Sequence, residues 1–381
     1  MTMAPGGEGG ADMVPARRGA DVIPAPREVE VPSAGPVAAR GSAGQPVLSR
    51  PAAALRRRPF LVLGLGLLFL LGLSILVGRY PQPGIMSPAT LANDDLARQL
   101  ILNLRLPRVL TACLLGMTLA ACGSVLQMIF RNPLVEPGFL GVSQGAAFGA
   151  ALSIVVLGAS PLLMEATAAL SACLGLALSY FLARRVRFGG WILRLVLSGI
   201  AVSALFSSGV GVLKYLADPL TQLPDIVFWT LGGLWGVSWE DLIYLAPPVA
   251  AGLVLVYLMR WRLNLLSLDD DTGFSLGAAP GRERALVLVA AVGATAAVVS
   301  VAGIVGWIGL LVPHVARRMA GADAQRALPA SLLLGGIFAL ACDDLARTVM
   351  AGEIPLGIVA SFFGALLFMA MMMSRNIRVE R

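Results

Sequence analysis

Side chains able to do chemistry are sparse in this chain of 381 residues. It holds one histidine (His314), one lysine (Lys214) and four cysteines (Cys113, Cys122, Cys173 and Cys342). The cysteines form no C-x-x-C pair and stand inside apolar runs, where a thiol acts as a small packing group. No His/Cys/Asp/Glu cluster has metal-ligand spacing, so no resident metal, Ser-His-Asp site or cofactor is expected. The sequence contains no G-x-x-x-x-G-K-[ST] phosphate loop, so any ATP that drives it is hydrolysed by another chain.

The ionisable residues that do fall inside an apolar run are Asp343, Asp344 and Arg347. On a helix they make an i,i+4 and an i,i+3 pair, and unpaired charge at membrane depth is costly. An internal ion pair is one reading. A proton relay is the other, but it needs a second acidic site deep in another run, and Glu136 and Glu165 lie at run ends.

These residues have to be positioned by elements that live in lipid. Hydrophobic residues make up 57 % and charged residues 13 %, with mean hydropathy +0.81. A soluble domain carries about twice that charge. Apolar runs of about 20 residues without period-2 alternation predict helices, which satisfy their own backbone in hydrocarbon. The fold class predicted is therefore an all-α polytopic membrane protein. Residues 1–55, rich in Gly, Ala, Pro, Val and Arg, predict a disordered cytoplasmic extension, and 56–381 the transmembrane domain. No signal-peptide core is present, and Arg56, Arg57 and Arg58 precede the first run.

Arg, Pro and Gly punctuation predicts ten spans: 60–78, 107–130, 139–157, 161–183, 192–215, 240–260, 284–301, 303–318, 327–349 and 356–374. The net charge of +7 sits at run ends, which points to a membrane rather than nucleic acid. With both termini in the cytoplasm, Arg131; Arg184, Arg185 and Arg187; Arg260, Arg262, Arg282 and Arg284; Arg317, Arg318 and Arg326; and Arg375, Arg378 and Arg381 all lie inside, as the positive-inside rule asks. Arg79, Arg98, Arg105, Arg108 and Arg347 are the exceptions.

Three stretches carry a family resemblance: Leu104–Gly149, with RLPR and RNPLVEPGFLGVSQGA; Leu197–Trp239, with LSGIAVSALF and FWTLGGLWGVSW; and Val301–Gly364, with GLLVPHVARR and EIPLGIVASFFG. From about residue 60 onward the chain resembles the permease subunits of FecCD-type ABC importers, which take up iron-siderophores, haem or vitamin B12. The resemblance implies a ten-helix subunit that pairs with a second permease subunit, a homodimer or a close paralogue. It also implies two ABC ATPase subunits and an extracytoplasmic substrate-binding protein as partners. Iron(III)-siderophore is the expected cargo, with haem or vitamin B12 as alternatives in the same class and an ion-coupled secondary transporter as a distant one.

Three site assignments follow from the resemblance, each beside a plainer reading. In RNPLVEPG, Pro133 and Pro137 stop a helix, Asn132 can cap one and Gly138 frees the turn. This is a helix–helix turn, and by position Asn132 and Leu134, with Ile192 and Leu193, match a cytoplasmic gate. In the loop 261–284, Asp269, Asp270 and Asp271 suit a helix N-terminus, Leu276 and Gly277 end that helix, and Pro280–Gly281 turns the chain. Such a loop is either simply solvated or the helix that couples to the ATPase, with Phe274 and Leu276 as an apolar wedge. Arg105, Arg108 and Arg347 either snorkel and pair locally or form a basic docking patch for the binding protein. Dense Gly and Ala elsewhere are expected to serve helix packing.

Overall fold

A computed structural model describes residues 52–373 except 81, 83, 88, 89, 91, 92, 159 and 351, with side chains from residue 60 onward. The expectations for residues 1–51, for the side chains of Arg56–Arg58 and for Arg375, Arg378 and Arg381 lie outside the described residues.

The helices are α1 (Ala52–Leu76), α2 (Asp95–Ile129), α3 (Val142–Leu157), α4 (Pro161–Arg185), α5 (Trp191–Leu216), α6 (Gln222–Leu231), α7 (Trp239–Leu258), α8 (Arg260–Leu266), α9 (Asp270–Ser275), α10 (Pro280–Ala302), α11 (Ile308–Ala320), α12 (Ala324–Thr348) and α13 (Leu356–Met373). A two-residue antiparallel pairing of Val77–Gly78 (β1) with Gly84–Ile85 (β2) follows α1. Among the described residues, α2, α4, α5, α7, α10, α12 and α13 are long and apolar enough to cross a bilayer; Phe60–Leu76 and Val142–Leu157 are shorter apolar stretches. With α11, these helices overlap the ten predicted spans, although α2 starts at Asp95, well before the predicted start at 107, because a π-helical turn carries the helix on through Ile101–Arg105.

The stretch 216–239, read as an outer loop, instead contains α6. Its end is stitched to two neighbours: Gly233 N–H donates to Ala302 O at 2.8 Å and Gly357 N–H to Gly232 O at 3.1 Å. Pro280 does not turn the chain but opens α10 at the first helical position, where its missing N–H costs nothing.

Packing radiates from α2, which is mostly buried and lies against α12, α10 and α11, while α4, α5, α7 and α13 bury about a third of their apolar stretch. Lipid offers no hydrophobic force between helices, so backbones must approach closely to gain dispersion. At the α2–α12 crossing a Cβ on Gly116 would stand 2.1 Å from Gly335 O, and one on Gly335 2.2 Å from Gly116 O. No side chain fits on either side of that contact.

Thirteen residues of α11 rise about 20 Å, short of the ~30 Å of hydrocarbon. Pro313 inside this helix has no N–H to offer the Gly309 carbonyl. Buried Gln127 of α2 supplies the missing donor: its Nε2 reaches Gly309 O at 3.1 Å and Leu310 O at 3.0 Å. Arg317, one turn on, donates in turn to Gln127 Oε1.

Candidate functional site: two mouths of a helix bundle

At the end of the bundle predicted to face outward, three arginines of the sequence analysis come together around one cavity of about 320 Å³, together with Arg79, Glu353 and the loop Leu234–Val237. Their partners explain why arginine tolerates this side. The last carbonyls of α1 have no helical donor. Arg105 Nη1 donates to Ile75 O and Leu76 O at 3.3 Å, and its Nη2 to Tyr80 O at 3.4 Å. Arg347 donates to Ser74 O at 2.6 Å and Val77 O at 3.0 Å. Two cations thus sit at the negative end of the α1 dipole. A Cβ on Gly78 would fall 2.3 Å from the Arg105 guanidinium, so a side chain there would displace it from its present seat.

The carboxylates of α12 complete the cluster. Asp343 is 0 % exposed. Its Oδ1 accepts from Arg108 Nε at 3.0 Å, with Arg108 Nη2 at 2.9 Å and Arg347 Nε 3.4 Å from Oδ2. Arg108 Nη1 also holds both oxygens of Glu353 at 2.8 Å. Asp344 takes Arg347 Nη2 and, at 2.7 Å, the Ser74 hydroxyl. Asp343, Asp344 and Arg347 therefore form the internal ion pairs that helical spacing predicts, joined by Arg108 from α2. A π-helical turn, Ile101–Arg105, re-aims Arg105 toward α1, and Trp239 Nε1 donates to its Leu102 carbonyl at 2.8 Å.

At the opposite end, α2 stops at Ile129 and the chain passes through Arg131, a non-glycine residue at φ +50°. Asn132 does not cap a helix: its Oδ1 accepts from Leu134 N–H at 2.9 Å in an Asx turn, leaving Leu134 exposed. Of the loop's two glycines, Gly141 (+81°) rather than Gly138 has the positive φ. Phe130, just before the loop, stacks on Trp191, the first residue of α5, with centroids 6.5 Å apart. That contact joins the residues just before the Asn132–Leu134 turn to the start of α5, where Ile192 follows and Leu193 is exposed. Glu136 turns inward, where its Oε2 accepts from the N–H of Trp307, the N-cap of α11, at 3.4 Å. Burial pushes the Glu136 carboxyl above its ordinary range, and the Trp307 N–H opposes this.

The loop 261–284 is two short helices. Asp269 is the N-cap of α9, Asp270 and Asp271 lie in its first turn, Leu276 is its C-cap and Gly277 follows at φ +82°. Phe274 is 74 % and Leu276 57 % exposed. Asp269 pairs with Arg131 and Asp270 with Arg284. Sequence reasoning treated both arginines as topology markers alone. One signal was present: Arg284 stands in the first turns of α10, where the helix dipole disfavours a cation.

The sequence model of the FecCD transport family matches residues 64–374. A Helicobacter pylori protein named as an iron chelatin transport system permease is 41 % identical over 281 residues, covering 73 % of this chain and 84 % of the relative. The hemin transport system permease HmuU of Yersinia pestis is 38 % identical, over 73 % of this chain and 84 % of its own. The molybdate import permease MolB of Haemophilus influenzae is 38 % identical, over 81 % and 94 %. A solved structure described as the inward-facing conformation of a metal-chelate type ABC transporter superposes with TM-score 0.77 at 36 % identity, covering 83 % of this chain and 98 % of that one.

Proposed function

The chain belongs to the FecCD transport family, and from this membership, which makes it the multi-pass permease subunit of an ABC importer, we propose that it imports iron(III)-siderophore complexes. The observation that carries the cargo is the 41 % identity to a permease named for iron chelatin transport, with the hemin permease beside it. The permease works as a dimer, with both termini cytoplasmic, seated on two ATPase subunits and loaded from outside by a binding protein.

In this reading the cavity holding Arg105, Arg108 and Arg347 receives carboxylates of the binding protein. Arg108 and Arg347 are only 12 % and 7 % exposed and already hold carboxylates of this chain, so the patch acts through its summed field, steering encounter and setting register rather than adding strong new pairs. The Asn132–Leu134 turn and Ile192–Leu193 form the cytoplasmic gate. Asp269–Asp271, Phe274, Leu276 and Gly277 seat in the ATPase, where the exposed aromatic and leucine supply the apolar contact that water otherwise covers.

The experiment is uptake in a strain lacking this chain, complemented and grown under iron limitation. Radiolabelled ferric siderophores, hemin, cobalamin and molybdate are offered in turn. Restored siderophore-iron uptake is expected. Molybdate is the second reading, favoured by the 94 % coverage of its permease; restored molybdate uptake alone overturns the iron assignment.

A further inference from the structure

We infer that Arg284 is a positioning residue that clamps the segment 269–277 to both halves of the gate, so that displacement of α9 is delivered to residues 131–134 and 191–193. The inference rests on the coupling and gate roles proposed above.

Arg284 is 4 % exposed and three of its contacts go to three different elements. Nη1 lies 2.6 Å from Asp270 Oδ1 at the start of α9. Nη2 donates at 3.0 Å to the Leu266 carbonyl, which closes α8. The guanidinium carbon stands 6.0 Å from the ring centroid of Trp191, where α5 begins. Trp191 in turn lies parallel to Phe130, at an interplanar angle of 21°.

The path then closes on itself. Arg131, next to Phe130, returns its Nη1 to Asp269 at 2.5 Å and its Nη2 to the Leu268 carbonyl. Two adjacent carboxylates at the head of α9 are therefore held by two guanidiniums, one from each side, with the aromatic pair between them. Arg131 keeps a backbone conformation uncommon for a side-chain-bearing residue, so tertiary contacts hold this turn in place. A guanidinium presents a planar fork that fixes direction as well as distance. A movement of Asp269 and Asp270 cannot leave Arg131 and Arg284 where they are without breaking charge-assisted bonds, one of which is made by a buried guanidinium. A solvated loop has no need of a buried arginine reaching back beneath it.

The test uses the full chain assembled with its ATPase subunits in nanodiscs. The four native cysteines are replaced and Leu134→Cys is introduced. The maleimide-labelling rate of that cysteine is compared between nucleotide-free and ATP–vanadate states. The parent is expected to change its rate between the two. In Arg284→Gln, ATP hydrolysis by the attached subunits persists; Asp269→Asn with Asp270→Asn, whose carboxylates are placed at the ATPase contact, is read separately by labelling of assemblies that retain the ATPase subunit. The nucleotide-dependent change in labelling falls about 5-fold or more, the low end of typical coupling between sites. Arg284→Lys, which keeps the charge without the fork, recovers only part of it. The asparagine pair alters surface positions, so the test stands even if Arg284→Gln does not fold. A response like the parent's in the asparagine pair overturns the inference. So does loss of the ATPase subunit from that pair, which assigns these carboxylates to docking. If the parent itself retains no ATPase subunit or shows no labelling change, the proposed coupling or gate role has failed instead.

Discussion

Replacing Arg108 by alanine tests whether the outer cluster is a structural clamp as well as a docking site. Arg108 is only 12 % exposed, and its Nε and Nη2 meet the fully buried Asp343 Oδ1 at 3.0 and 2.9 Å. Asp343 Oδ2 has no hydrogen bond of its own; only Arg347 Nε stands near it, at 3.4 Å. Deleting Arg108 therefore strips Asp343 of every hydrogen bond it makes. Removing one partner of a buried pair costs ~3–5 kcal/mol, because the remaining charge stays desolvated. Glu353, 39 % exposed, rehydrates, and its lost pair adds at most ~1 kcal/mol. Replacing both partners of a buried pair by apolar residues is often close to neutral. Arg108→Met with Asp343→Leu should thus recover most of the loss, while Arg347 keeps Asp344 and the α1 carbonyls. A double-mutant cycle of unfolding free energies, measured by SDS titration of the purified chain, should return a coupling of at least ~2 kcal/mol. The reasoning is refuted if Arg108→Ala unfolds within ~1 kcal/mol of the parent, or if the double variant is as damaged as the two singles summed. A consequence for docking follows. Arg108 variants that fail in uptake must be corrected for folded protein, whereas Arg105, bonded to carbonyls alone, separates the two effects.

The purified chain, which lacks a phosphate loop, is expected to hydrolyse no ATP until its ATPase subunit is added; turnover by the chain alone counts against the family role. Phe274→Asp with Leu276→Asp should release the ATPase subunit from detergent-solubilised complex while the unfolding free energy stays within ~0.5 kcal/mol, as for exposed sites generally; retained co-purification with retained uptake places the docking surface elsewhere. Gly335→Ala inserts a Cβ 2.2 Å from the Gly116 carbonyl, so α12 must move off α2 at a cost of ~1–3 kcal/mol or more, read by the same SDS titration; an unchanged midpoint denies the close approach. Glu136→Gln keeps an acceptor for the Trp307 N–H whereas Glu136→Ala orphans it, and the alanine form should be the less stable by ~1–3 kcal/mol.

The spans were legible because the apolar runs are bounded by arginine, proline or glycine, and helices of 20-odd residues tolerate errors at their ends. α6 was missed because ten residues followed by two glycines do not reach spanning length. The ion pairs of Asp343 and Asp344 with Arg347 could be read from i,i+3 and i,i+4 spacing, but the arrival of Arg108 from α2 could not, since no local pattern announces a partner that distant. The same holds for Arg284: its place near the N-terminus of α10 signalled a conflict with the dipole, but Asp270 and Trp191, which resolve it, lie on other elements. Nothing local in the sequence marks Gly78, and only the guanidinium seated against it shows what a side chain there would displace. The reversed backbone at Trp307, φ +71°, had no sequence signal, because a bulky residue is the least expected occupant of that region.

The outer cluster also sets an order of events at the ribosome. Arg108 emerges 235 residues before its buried partner Asp343. At about 5–20 residues per second, translation leaves α2 waiting roughly 10–50 s for α12. During that interval its arginine must lie at the lipid headgroups or against the insertion machinery, because the carboxylate that will neutralise it has not been made. The Arg105 bonds to the α1 carbonyls need no later helix, since both partners precede α12 in the chain. Insertion of α12 is then the step that converts a set of threaded helices into a locked subunit, and a chain released before residue 343 carries an unpaired cation that quality control can recognise.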